Sequence, residues 1–257
     1  MKVSRTTERW SPLIVLAAML LVWQLLVTLL RVPDYIFPSP WQIALQFAEF
    51  SGPLLEAAWR TFWVTMVGFG ISIVVGVMLG FLIGSSRLIY TALYPLMVGF
   101  NAIPKAAVVP ILVVWFGIGL GPGIITAFLI SFFPITVNIA TGLATLEPEL
   151  EDVLRVLGAK RWDVLVKVGL PRSMPYFYGS LKIAITLAFV GTVLAEMTAG
   201  DSGIGYLIQT AGSQQRTPLA FAGLATIGAM AMAMYELFSW IEKRTTGWAH
   251  RGSQGST

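Results

Sequence analysis

Few residues in this chain could do chemistry, and they are unevenly placed. The segment Glu147–Arg172 reads EPELEDVLRVLGAKRWDVLVKVGLPR and carries five acidic and five basic residues, whereas Ala106–Leu146 just before it carries none. A polar segment between apolar stretches is built to meet something in water. The sequence has no cysteine, so it has no disulfide, no thiolate metal site and no cysteine nucleophile. Its single histidine, His250, sits in a polar tail, which excludes a histidine metal cluster within one chain. No G-x-x-x-x-G-K-[ST] run occurs, so the chain has no phosphate-cradling loop of its own. Any ATP chemistry must come from a partner.

The remaining ionisable groups of interest lie within apolar stretches. Lys105 follows Pro104, and a lysine at mid-bilayer costs about 2.5–3.5 kcal/mol on insertion scales, which something must offset. Two roles fit it: a pathway residue that attracts an anionic substrate, or a local partner for carbonyls left unpaired by Pro104 and Pro110. Glu196 falls near the end of a later apolar stretch, where it could pair with Lys105, line an exit or face water. Asn101, Asn138, Thr192 and Thr198 could face a central pathway or make interhelical hydrogen bonds. Gly76, Gly80 and Gly84 form overlapping G-x-x-x-G patterns that allow close helix contact, within one subunit or across a dimer.

These residues must be positioned by membrane helices. The chain of 257 residues is 56% hydrophobic and 12% charged, and its mean hydropathy is +0.76. Soluble domains are about 25% charged, and a helical span needs roughly 20 apolar residues. Charge-free stretches place six helices at about 12–30, 62–84, 92–116, 123–143, 177–198 and 218–240, with the glycine-rich 117–123 as a turn. The run 10–30 is too long for a signal-peptide core and reads as a retained first span. The net charge of +4 forms no basic stripe, which argues against nucleic-acid binding. If the N-terminus is cytoplasmic, 13 of the 17 Lys and Arg residues fall on the inside. Both termini and the charged segment are then cytoplasmic. Between the first two spans, Ser39 is an expected N-cap and Pro40 an expected first helical residue. Asp201–Gly203 forms a turn before the last span.

Within the charged segment, Leu150, Val153, Leu154 and Leu157 recur at helical spacing, and Glu149, Glu151 and Asp152 crowd the first turn. Gly158 is an expected left-handed stop. A second short helix follows from about Lys160 to Val168 and is expected to end at Gly169 and Pro171. The pattern is helix, glycine elbow, helix. It fits either an amphipathic linker on the headgroups or a docking element, and its even charge balance is unlike a headgroup-bound helix.

Here the sequence resembles the permease subunits of binding-protein-dependent ABC importers. Their cytoplasmic loop carries a signature of the form EAA-x3-G-x9-I-x-LP, and this chain reads Asp152-Val153-Leu154, Gly158 and Val168-Gly169-Leu170-Pro171 at that spacing. The departures are Asp152, Leu154 and Val168. The stretches FPSPWQI (37–43), IPKAAVVPILVVWFGIG (103–119) and AEMTAGDSGIGYLI (195–208) are similar to the nitrate/sulfonate/taurine branch.

The resemblance implies an all-α integral membrane protein, a six-helix polytopic bundle of the type I ABC importer permease kind. Residues 1–56 would hold the tail, first helix and periplasmic segment. Residues 57–241 would hold the transmembrane domain with its coupling loop at 145–172, and 242–257 a cytoplasmic tail. It implies an ATPase-coupling surface of Glu151, Asp152, Arg155, Gly158, Ala159, Lys160, Arg161, Trp162, Leu170 and Pro171. It implies no cofactor on this chain, with ATP and Mg on a cytoplasmic ABC ATPase dimer. A second permease subunit, an extracytoplasmic solute-binding protein and lipid are the other expected partners, in the bacterial inner membrane. The expected cargo is a small polar or anionic nutrient of the sulfonate, taurine, nitrate or vitamin-precursor class. A membrane-embedded enzyme would need clustered acid, base or nucleophile groups that the spans lack. A scaffold subunit without a pathway is the alternative, but it leaves Lys105 and the patterned loop without a use.

Overall fold

The structure is a computed structural model that describes residues 5–144, 156–158 and 160–246. Every regular element among them is helical: α1 (Arg5–Leu29), α2 (Pro40–Glu49), α3 (Ser51–Gly84), α4 (Arg87–Ala102), α5 (Val109–Phe116), α6 (Leu120–Ala144), α7 (Arg161–Val164), α8 (Leu170–Ala199), α9 (Ile204–Ser213) and α10 (Thr217–Thr245). Five helices are long and apolar enough to cross a membrane, and a bent pair makes a sixth candidate.

The centre of the bundle is α3, α6 and α8. Its core joins Phe69 of α3, Ile135 and Ile139 of α6, and Ile185 and Phe189 of α8. Close approach is set by small residues, because lipid supplies no hydrophobic drive and packing must do the work. A Cβ on Gly76 would stand 2.9 Å from that of Ile135, on Gly80 2.8 Å from that of Ile139, and on Gly84 2.8 Å from that of Leu143. All three G-x-x-x-G glycines thus meet α6 within the same chain. The stripe extends further than those three: Gly68 abuts Ala127, and Ser72 meets Ser131 with their hydroxyls 2.6 Å apart.

A second cluster closes one end of the bundle. Ile43 of α2, Leu54 and Ala58 of α3, Ile204, Ile208 and Ala211 of α9, and Leu219 and Ala222 of α10 pack together there. Helix α2 begins as its sequence dictates: Gln42 N–H donates to the Ser39 hydroxyl, Ser39 N–H donates to the Gln42 side chain, and Pro40 occupies the first turn. Helix α1 stands apart, with most of its length exposed. It is held to α2 by Trp41 N–H donating to Gln24 Oε1 at 3.1 Å, and to α10 through the rings of Trp23 and Phe221.

Three expectations are corrected. The third span is not one helix over 92–116: α4 stops at Ala102, a 3-10 turn spans Lys105–Val108, and the two halves bend by 71°. Ile103 is extended before Pro104, which disfavours helix at the residue before it and donates no N–H of its own. The second span starts at Ser51 rather than 62, carrying Glu56 and Arg60 beyond the apolar run. The fifth starts at Leu170 rather than 177, and Gly169 and Pro171 do not end a helix. A π turn over Leu165–Gly169 carries α7 into α8 without a break. The wider turn re-aligns the backbone ahead of a proline that cannot donate to it.

Candidate functional site

Two ends of one rod define the site. A continuous helix of 34 residues runs from Val166 to Ala199, about 50 Å at 1.5 Å per residue, against a hydrocarbon core of about 30 Å. At one end lies the glycine elbow. Gly158 has φ +86°, the left-handed region that favours glycine. Val156 and Leu157 beside it are exposed. Past the elbow, Lys160 N–H donates to Asp163 Oδ2 at 3.3 Å, which caps the first turn of α7. Lys167 Nζ meets Asp163 Oδ1 at 2.9 Å. That hydrogen bond holds the Asp163 carboxyl below its usual range, aided by the lysine's charge. Pro171 is exposed and Leu170 half-buried at the start of α8. Glu151, Asp152, Arg155 and Ala159 lie outside the described residues. Arg161 and Trp162 belong to α7.

At the other end, Glu196 is buried, at 8% exposure. It neither meets Lys105 nor faces water. Thr61 Oγ1 of α3 donates to its carboxylate at 2.9 Å, and Gly205 N–H of α9 donates to Oε2 at 2.9 Å. The Thr61 hydroxyl in turn accepts from Ile204 N–H at 2.8 Å. Gly203, at φ +92°, turns the chain so closely over the carboxylate that any Cβ there would overlap it. One turn along the rod, Thr65 Oγ1 lies 2.9 Å from Thr192 Oγ1. The outer rim is an ion pair: Arg60 Nη2 reaches Asp201 Oδ1 at 3.2 Å. The Ser202 hydroxyl, which donates to Asp201, holds that carboxyl below its ordinary value, and the charge of Arg60 adds to the effect. The result is a clasp of α3, α8 and α9 in which both oxygens of the Glu196 carboxylate have a donor.

Lys105 sits at the break between α4 and α5. Its ammonium donates to the backbone carbonyl of Asn101 and, at 2.6 Å, to the Asn101 side-chain oxygen. It therefore caps the carbonyl end of α4, where a cation is favoured. Asn101 is exposed and Lys105 half-exposed on the same face. Asn138 Nδ2 donates within its own helix to Pro134 O at 2.8 Å, and Thr198 likewise to Leu194 O. Neither joins the clasp. Thr61 and Thr65 of the clasp, and Ser72 of the packing stripe, are not singled out by the sequence. A signal for them exists in the spacing of small residues along α3, since Thr61, Thr65, Gly68, Ser72, Gly76, Gly80 and Gly84 recur every three or four positions.

The comparison with known proteins agrees with this architecture. Residues 72–247, more than half the chain, match the family of the binding-protein-dependent transport system inner membrane component. The chain belongs to that family of ABC importer permeases. A probable ABC transporter permease protein of Haemophilus influenzae is 32% identical, covering 91% of this chain and 96% of its own. The riboflavin transport system permease protein RibX of Chloroflexus aurantiacus is 33% identical, covering 91% and 88%. Other relatives are named for formylaminopyrimidine, aliphatic sulfonates and taurine. An inward-facing structure of the MetNI methionine ABC transporter shares the fold, with TM-score 0.67 at 19% identity over 77% of this chain and 98% of that chain.

Proposed function

We propose that this chain is half of the membrane pathway of an ABC importer, working by alternating access. The Gly158 end of the rod lies in the cytoplasm and the Glu196 clasp on the outside, as the distribution of Lys and Arg favours. Two copies, or this chain and a similar one, complete the pathway. A cytoplasmic ATPase pair docks on the 145–172 loop, where the exposed apolar pair Val156 and Leu157 offers contact area. ATP and Mg belong to that partner. A loaded binding protein docks on the outer segments that follow α1 and α8.

The observation that carries the proposal is the rod itself. Helical structure continues from Arg161 through the π turn to Ala199. A displacement at the loop would therefore reach the Glu196 clasp along one helix, although Pro171 and Pro175 each remove a backbone hydrogen bond near its start. The cargo is a small water-soluble nutrient. The relatives' names span sulfonates, taurine, a pyrimidine and riboflavin. Lys105, half-exposed at the broken span, adds a preference for polar or anionic groups. Selectivity among them rests with the binding protein.

Purification from native membranes in mild detergent, followed by mass spectrometry, tests the proposal. An ATPase subunit with a phosphate-loop sequence should appear in near-equal amount. Recovery of this chain without one, even after crosslinking, would contradict it.

A further inference from the structure

The rod carries a second device, well away from the clasp. Lys182 Nζ of α8 meets Glu242 Oε2 of α10 at 2.7 Å, with the two side chains 18% and 13% exposed. The same ammonium lies 5.8 Å from the centroid of the Tyr235 ring. Tyr235 and Glu242 are two turns apart on α10, so one lysine is gripped at two heights on a single helix face. Lys182 stands about 24 Å along the rod from Val166, close to its midpoint, while Glu242 lies near the C-terminal end of α10. The opposite half of α10 is fastened differently, by Leu219, Ala220 and Ala222 in the cluster with α2, α3 and α9.

A largely desolvated ion pair is a poor source of net stability, because the cost of removing both charges from water offsets their attraction. Apolar residues of similar shape would hold the two helices about as well. What the pair adds is direction: a charge-assisted bond fixes one relative position of α8 and α10 and resists sliding in either sense. We propose that Lys182 and Glu242 are positioning residues for transport, strapping the C-terminal half of α10 to the coupling rod so that the two helices move as one body. The role rests on the importer reading for its purpose, but the strap itself is a property of this chain alone.

The absence of native cysteine allows clean spin labelling. Labels on the exposed positions Tyr176→Cys of α8 and Leu237→Cys of α10 would report the helix separation in lipid nanodiscs. The comparison variant is Lys182→Met with Glu242→Gln, which removes the pair without stranding a buried charge. We expect it to keep the melting temperature of the parent but to broaden or shift the distance by about 2 Å, the scale of a helix slip at an interface. The swap Lys182→Glu with Glu242→Lys should restore the narrow distribution. In the complex with the ATPase, vanadate trapping should leave the parent distance fixed and move that of the neutral variant. A neutral variant as narrow and unshifted as the parent would overturn the strap. So would a parent distance that itself changes on trapping. Failure to find any ATPase would instead count against the importer reading, since the nanodisc result does not depend on it.

Discussion

The carboxylate of Glu196 accepts a hydrogen bond from the Thr61 hydroxyl at 2.9 Å across 135 residues of sequence. Thr61 simultaneously accepts from Ile204 N–H, so one hydroxyl serves the acceptor of α8 and the first amide of α9. Thr61→Val is isosteric but leaves both groups without that partner. It should lower stability by about 1–3 kcal/mol, read as a fall in melting temperature in detergent. Thr61→Ser should recover most of it.

The small-residue stripe of α3 offers a matched pair. A Cβ on Gly80 would stand 2.8 Å from both Ile139 Cβ and Thr136 O, whereas one on Gly70 meets nothing within 4 Å. Gly80→Ala should therefore push α3 from α6 and cost about 1–3 kcal/mol. Gly70→Ala should be neutral or slightly stabilising, since alanine is the better helix former by up to about 1 kcal/mol. Equal melting temperatures for the two would show that α3 and α6 do not meet on this face.

Five of the six expected spans were legible because charge-free runs of the right length are a direct signature of helices in lipid. Ser39 was legible as a cap because Pro40, which suits the first helical position, follows it. The break at Pro104 was not, although Asn101, Pro104 and Lys105 interrupt the apolar run there, because a membrane helix can carry a proline without breaking, and only backbone geometry separates 87–102 from 105–116. Gly169 and Pro171 looked like an ending because composition cannot show that a π turn absorbs them. Helix α9, which starts at Ile204, was hidden behind the Asp201–Gly203 turn. The clasp residues Thr61 and Thr65 give no hydropathy signal. Glu242 found its partner 60 residues away, beyond the reach of any local pattern.

The outer rim carries a pH dependence with a definite sign. The Asp201 carboxyl is held below its ordinary value, near 3.8, by the Ser202 hydroxyl and by Arg60. A carboxyl depressed in the folded state contributes stability that is present above the unfolded value and is lost as pH falls through the folded one. The contribution is small, since both side chains are largely exposed and screened. Melting curves from about pH 5 down to about pH 3 should fall more steeply for the parent than for Asp201→Asn. High salt should narrow the difference. A steeper fall in the variant would contradict the assignment.

Gly158→Val separates folding from coupling. The position is open, with nothing within 4 Å of a Cβ, so the penalty is confined to the left-handed backbone, about 1–2 kcal/mol. Membrane abundance should stay near that of the parent while stimulation of the partner ATPase is lost. Retained stimulation would show that the elbow does not carry the signal.

The central claim is that the Gly158 end of the rod meets an ATPase while the Glu196 end does not. It is tested most directly by single-cysteine crosslinking in native membranes, since the chain has no cysteine of its own. Lys160→Cys and Gln214→Cys are exposed positions near opposite ends. A short bifunctional thiol–amine reagent should join Lys160→Cys to a protein that mass spectrometry identifies by its phosphate-loop sequence, with no such product from Gln214→Cys. An ATPase adduct at Gln214→Cys, or none at Lys160→Cys in membranes where the ATPase is present, would contradict the account.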